Sequence, residues 1–278
     1  MRIPPRLAQR LAFGLLYASM ILVALPVLLI VVLMAVKGLA GLSPALFLHG
    51  SQALLPSIIG TVCLVTLTGV ICAPLGIAAA VYLSEYAKRG PLVRLVRLSI
   101  VNLAGVPSVV YGLFGLALFV MLMKFGRSLI AGSATLALLV LPLVVSASEE
   151  ALRQVPQRLR DASLALGATK WQTVRRVVLP NALPGIITGL ILAISRAAGE
   201  TAPILFTAAF FSLTDPYPNS VFDPVLALPY QLFVMSTEMP DVPIENKWAT
   251  ALVLVVVVLG LNLGAIVYRA RLRRRQRW

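Results

Sequence analysis

Two charges set inside an apolar run are the residues best placed to do chemistry. They are Arg196 and Glu200, in Ser195-Arg-Ala-Ala-Gly-Glu200-Thr-Ala-Pro203. At i and i+4 they share one face of a helix and can pair. Ala197, Ala198 and Gly199 beside them are small enough to let a second helix approach closely. If the run enters lipid near Leu183, a rise of about 1.5 Å per residue carries Arg196 roughly 20 Å in, close to mid-bilayer. A charge at that depth costs between about 2.5 and more than 10 kcal/mol, so a function or a partner has to justify it. Two readings stand side by side. The pair can be a self-satisfied tie between helices. It can also face a central pathway, where the planar cation of Arg196 meets an anion and Glu200 keeps the site from holding that anion too tightly. Arg196, Glu200 and Thr201 are the candidate pathway residues.

Little else in the chain is reactive. His49 is the only histidine and reads as a solvated loop residue. Cys63 and Cys72 lie in one apolar segment, at a spacing that fits neither a metal site nor a redox pair, and read as small packing residues. No Ser/His/Asp set and no reachable pair of carboxylates occurs. The stretch Gly167-Ala-Thr-Lys170 lacks the first glycine and the trailing Ser/Thr of a phosphate-cradling G-x-x-x-x-G-K-[ST] loop. The chain is therefore expected not to be an enzyme and to need no cofactor or metal. Any ATP hydrolysis belongs to a separate chain.

The polar connection Glu149–Asn181 behaves as two short amphipathic helices with a corner. Pro156 suits a first helical turn. Leu159, Ala162, Ser163 and Leu166 recur at i, i+3, i+4 and i+7 on one small-to-apolar face. Gly167 is placed to end that helix with a positive φ. Thr169 can cap a second helix in which Trp171, Val174 and Val178 share a face, and Pro180 is expected to end it. Periodicity alone leaves two options: a loop lying on lipid headgroups, or a docking element.

These elements belong to a chain of 278 residues that is 59% hydrophobic and only 12% charged, with a mean hydropathy of +0.94. A soluble domain carries about twice that charge fraction. The expected fold class is an all-α membrane protein with six transmembrane helices, over about Leu11–Val36, Leu54–Leu83, Leu98–Met123, Leu129–Ala147, Ala182–Ser212 and Ala249–Tyr268. No repeat or second domain is visible, so 1–278 reads as one transmembrane domain. The first run follows Arg2, Arg6 and Arg10 but outlasts a signal-peptide core of roughly 7–15 residues, and reads as an uncleaved helix. Nineteen of the 24 Lys and Arg residues fall at the N-terminus, in Lys88–Arg97, in Arg153–Arg176 and in the tail from Arg269. That bias places both termini and the 149–181 loop in the cytoplasm. A net charge of +14 carried at span ends points to lipid headgroups rather than nucleic acid. The opposite loop, Leu213–Trp248, carries Asp215, Asp223, Glu238, Asp241 and Glu245. This loop either contacts the binding protein or holds, in Pro224–Val234, a short surface helix.

The residues Asp161-Ala162-Ser163, Gly167 and Val177-x-Leu179-Pro180 resemble the EAA loop of bacterial ABC importer permeases. All the intervals match, with Asp for the usual Glu and Ser for the second Ala. The phrase Arg196-Ala-Ala-Gly-Glu-Thr-Ala-Pro-Ile-Leu, with the later Leu228-Pro-Tyr-Gln-Leu-Phe233, resembles phosphate-specific permeases of the PstA type. This resemblance implies a type I ABC importer permease fold in the bacterial inner membrane. It also implies four classes of partner: a sister permease (PstC type), an ATPase dimer (PstB type), a periplasmic phosphate-binding protein (PstS type) and phosphate itself. It further implies that Asp161, Ala162, Ser163, Gly167, Ala168, Trp171, Leu179 and Pro180 form a coupling loop that docks on the ATPase. A permease for sulfate, molybdate or phosphonate, and a phosphate-signalling scaffold that moves nothing, remain as alternatives.

Overall fold

The computed structural model describes residues 5–48, 53–88, 90–210 and 217–274. Arg2, His49, Arg89, Phe211, Ser212, Leu213, Asp215 and the tail beyond Arg274 lie outside the described residues. Long apolar runs become helices because lipid offers the backbone no partner, so each N–H must bond within its own segment. Among the described residues, α1 (Pro5–Gly41), α3 (Leu54–Val81), α6 (Leu129–Arg153), α9 (Leu179–Gly199) and α12 (Ile244–Arg274) supply five segments long and apolar enough to span a membrane. A bent pair of helices supplies a sixth if it is taken as one span.

The most buried of these is α6, and it is the centre of the bundle. Small residues let its neighbours come to contact distance. A Cβ added at Gly76 of α3 would lie 2.6 Å from Val144 Cγ1, and one at Gly189 of α9 would lie 2.4 Å from Ala147 Cβ. One core cluster joins Leu64, Leu136, Val140, Val144, Ala193 and Ile204 across α3, α6, α9 and the segment after α9. In contrast, α1 presents its apolar side chains outward and packs chiefly on α12.

The run expected as one span over Leu98–Met123 is divided. Helix α4 (Pro91–Ala104) meets α5 (Ser108–Gly115), with its π-helical continuation Leu116–Leu122, at 102°. The elbow is Gly105-Val106-Pro107, and proline disfavours helical geometry in the residue before it. The Tyr111 hydroxyl donates to Leu103 O at 2.9 Å across the elbow. Helix α4 buries no side chain; its Arg97 donates to Leu83 O at 2.9 Å and pairs with Glu149 at 2.7 Å.

The run expected over Ala182–Ser212 also differs, at both ends. It starts earlier, because α8 (Lys170–Thr173), a π turn Val174–Val178 and α9 form one continuous helix. Pro180 therefore does not end the second loop helix. The π turn, closed by Leu179 N–H to Val174 O, leaves Pro180 in the first turn of the α-segment that follows, where a missing N–H does little harm. Asn181 Nδ2 meanwhile donates to Val177 O at 2.7 Å. At its far end α9 stops at Glu200 (φ −77°, ψ 132°), and a short α10 (Ala202–Thr207) begins with Pro203 in its first turn.

The segment after α10 returns into the bundle. Val225 N–H bonds Ala208 O at 3.0 Å, and Leu129 N–H bonds Asp223 O at 2.8 Å. Leu228 N–H donates to Thr61 Oγ1 at 2.9 Å. Val225 to Pro229 are all buried, as are Gln231, Val234 and Met235 of α11 (Leu228–Thr237). The Pro224–Val234 stretch is thus wedged against α3 rather than laid on the surface. Its apolar residues reach the core because Gly60 has no Cβ: one would lie 2.0 Å from Leu226 O. The acids Glu238, Asp241 and Glu245 stay exposed.

Candidate functional site

Arg196 lies in the last turn of α9, where carbonyls left without helical partners favour a cation. Glu200 is the residue at which the helix stops, and Thr201 lies half-buried in the break before α10. The predicted pair forms, through Arg196 Nε to Glu200 Oε1 at 3.4 Å, with side-chain exposures of 43% and 17%. A single long contact on a half-exposed arginine is worth at most about 1 kcal/mol, too little to hold a bundle together. The cation thus stands on the bundle surface at a helix break, 43% exposed. Neighbouring helices hold the backbone on both sides of the break. Ser195 Oγ donates to Ile191 O at 2.6 Å and bonds the side-chain amide of Asn262 on α12. Against α10, a Cβ added at Gly112 of α5 would lie 3.0 Å from Ala202 O.

In the loop, α7 (Gln157–Ala165) ends in a left-handed residue, Gly167 at φ +84°. Gly167 N–H bonds Leu164 O at 3.0 Å and Ala168 N–H bonds Ser163 O at 3.2 Å, the paired closure of a Schellman end. Thr169 then caps α8 reciprocally: its Oγ1 accepts from Gln172 N–H, and its own N–H donates to Gln172 Oε1 at 2.8 Å. Ser163 Oγ and Thr173 Oγ1, 2.9 Å apart, join the two helices. Asp161 and Ala162 are exposed; Asp161 accepts from Gln157 Nε2 at 3.1 Å. Ala168 and Leu179 are half-buried, and Pro180 is exposed.

The expected apolar faces divide. Val174 and Val178 are buried, but Trp171 is 59% exposed and Leu166 is 90% exposed. Trp171 therefore does not share the inward face of the two valines; it and Leu166 stand exposed on the loop. Nothing lies within 4 Å of a Cβ added at Gly167, so the corner between them is open.

What holds the loop to the bundle escaped the sequence reading. Arg160 and Glu85 form an ion pair at 2.8 Å, with side-chain exposures of 12% and 9%. Glu149 accepts from both Arg97 and Arg153, at 2.7 and 2.6 Å. One signal was available: the chain has only ten acids, and Glu85 and Glu149 are the first two, each at the end of an apolar run amid basic residues.

The sequence profile of the family described as "Binding-protein-dependent transport system inner membrane component" matches residues 72–278. The chain belongs to that family. Among relatives of this permease, the phosphate transport system permease protein PstA 1 of Mycobacterium tuberculosis (strain ATCC 25618 / H37Rv) is 40% identical over 219 residues, covering 78% of this chain and 70% of that one. The probable ABC transporter permease protein YqgI of Bacillus subtilis (strain 168) is 37% identical, over 73% of this chain and 74% of that one. PstA of Pasteurella multocida (strain Pm70) is 34% identical over 84% of both. A bacterial ABC transporter involved in the import of alginate superposes with a TM-score of 0.69, covering 96% of this permease and 99% of that chain at 16% identity. The MetNI methionine ABC transporter superposes at 0.64, with 18% identity, over 79% and 95%. The permease has the type I ABC importer fold.

Proposed function

We propose that this permease is the transmembrane subunit of an ATP-driven importer of inorganic phosphate in the bacterial inner membrane. It forms half of the pathway beside a sister permease (PstC type). An ATPase dimer (PstB type) works from the cytoplasm, and a phosphate-binding protein (PstS type) delivers the anion from outside. Arg196 carries this reading. It is a half-exposed, weakly paired guanidinium at a helix break, in a chain with relatives at 34% and 40% identity that are named phosphate permeases. A planar fork of N–H donors matches a tetrahedral oxyanion. Glu200, at 3.4 Å, offsets part of the charge, so the anion is released as well as bound. Thr201 adds a hydroxyl beside it.

The exposed tip of the loop, with Leu166 and Trp171 on either side of the Gly167 corner, is the surface offered to the ATPase. Aromatic anchors of this kind commonly dominate an interface. Asp161, Ala162, Ser163 and Ala168 shape the tip, and Leu179 and Pro180 carry it into α9. Both termini lie in the cytoplasm with the loop.

The test is ATP-dependent uptake of radiolabelled phosphate into proteoliposomes holding this permease, its sister, the ATPase and the binding protein. Uptake that resists excess sulfate supports the proposal. Uptake of sulfate, molybdate or phosphonate in its place would keep the importer and change the cargo. Binding-protein and ATPase association without uptake of any anion would leave a signalling scaffold.

A further inference from the structure

Helix α7 has no fully buried side chain; Leu159 packs partly buried against the core, and polar contacts supply the rest of its hold on the spans. Arg160 supplies most of them. Its Nη2 donates to Glu85 Oε1 and to Leu152 O, each at 2.8 Å; its Nη1 donates to Val155 O at 2.5 Å, and its Nε to Glu85 Oε2 at 3.4 Å. Glu85 lies on the π turn Tyr82–Tyr86 that ends α3, and Ser84 Oγ donates to it at 3.4 Å. The second helix of the loop reaches the same turn: Lys170 places Nζ 5.1 Å from the centre of the Tyr86 ring. Beside them lies a cavity of about 800 Å³, lined by Glu85, Arg160, Lys170, Gln157, Leu164 and Thr173. The loop thus meets the end of α3 through two cationic side chains at the edge of an apolar cluster that holds Leu83 and Val155.

We infer that the π turn Tyr82–Tyr86 is the seat through which the loop moves the spans, with Glu85 and Arg160 as the positioning pair. The inference rests on the importer reading, in which the loop is pushed by a partner. An apolar contact beside a cavity of that size can slide. A buried, multiply bonded ion pair has a defined geometry, and separating it strands a charge. Displacement of α7 is therefore passed to Glu85 and so to α3. Further along, α3 touches α9 next to the pathway: a Cβ added at Gly69 would lie 3.4 Å from Ile194 Cδ1, two residues before Arg196. π turns recur where helices serve function, and this one, closed by Ala87 N–H to Tyr82 O at 2.8 Å, stands where the input arrives.

The experiment uses the reconstituted four-component importer and reads phosphate uptake and ATP hydrolysis in the same vesicles. Glu85→Gln, which keeps the side chain's shape, should lower phosphate carried per ATP hydrolysed by at least about five-fold, the lower end of coupling between sites. Arg160→Met should do the same and Arg160→Lys should recover part of it, with assembled complex obtained in wild-type amount. The Glu85→Gln/Arg160→Met double variant should be no worse than the worse single one, because both remove one interaction. An unchanged ratio in Glu85→Gln and Arg160→Met, or losses that multiply, would overturn the pair. Hydrogen exchange at the amides of Leu83 to Ala87, with and without nucleotide, follows the seat whatever the cargo. It should respond to nucleotide in the wild type and not in Glu85→Gln; no response in the wild type overturns the inference even if phosphate is carried. Normal nucleotide response with no phosphate uptake would sink the cargo assignment and leave the seat standing.

Discussion

Arg196 and Gly167 show how much one residue can decide. Arg196→Gln keeps length and some hydrogen bonding but removes the permanent charge. Phosphate uptake should fall at least about ten-fold, the worth of one charge-assisted bond, while the complex still assembles. Retained uptake would return the Arg196–Glu200 pair to a structural role. Gly167 behaves differently, because its surroundings are empty and its backbone is not. Gly167→Ala faces only the cost of a positive φ, about 1 kcal/mol for a residue with a Cβ, and should keep most uptake. Gly167→Leu adds a side chain where the partner must seat, and should uncouple ATP hydrolysis from uptake without lowering membrane insertion. Equal uptake in the two variants would remove the docking role of the corner. Both residues were legible because their signals are local: a charge amid apolar neighbours, and a glycine at a helix end. Glu85–Arg160 was not, since 75 positions separate the partners and only the fold brings them together.

At the scale of elements, each loop helix is set by its caps. Removing the Thr169 hydroxyl breaks the reciprocal cap of α8, at a cost of about 1 kcal/mol. Thr169→Ala should therefore raise hydrogen exchange across Lys170–Thr173 while leaving α9 protected; unchanged exchange would mean that packing rather than the cap holds this helix. Cap chemistry spans three residues and can be read from sequence. The elements that were misread are those whose ends depend on less visible terms. Hydropathy runs straight through Gly105-Val106-Pro107, so the 102° elbow was hidden although the pre-proline preference was there to be used. Pro180 looked like a stop because nothing in composition announces the π turn that absorbs it. The Pro224–Val234 stretch reads from sequence as a short surface helix. Its burial depends on Gly60, far away in sequence, leaving room for a carbonyl.

At the scale of the whole molecule, the placing of the basic residues predicts a topology. Leu166, on the loop, and Phe222, in the segment between α10 and α11, should lie on opposite sides of the membrane. Single cysteines at these positions, with Cys63 and Cys72 replaced by alanine, can be probed with a membrane-impermeant thiol reagent. Sealed right-side-out vesicles should label Phe222→Cys alone and inverted vesicles Leu166→Cys alone, with added ATPase protecting the latter. The reverse pattern would invert the charge-based orientation.

The contacts around α6 have a mechanical consequence. Where Gly76 and Gly189 bring α3 and α9 onto Val144 and Ala147, the side chains at closest approach are short and stiff and absorb little of a push. Compliance is left to the places where the helical ladder is interrupted: the π turns, the elbow at 105–107 and the break at Glu200. Between those joints the bundle acts as a train of stiff levers. A rotation of a few degrees imposed at one end should then arrive at Arg196 with little of it lost to internal give.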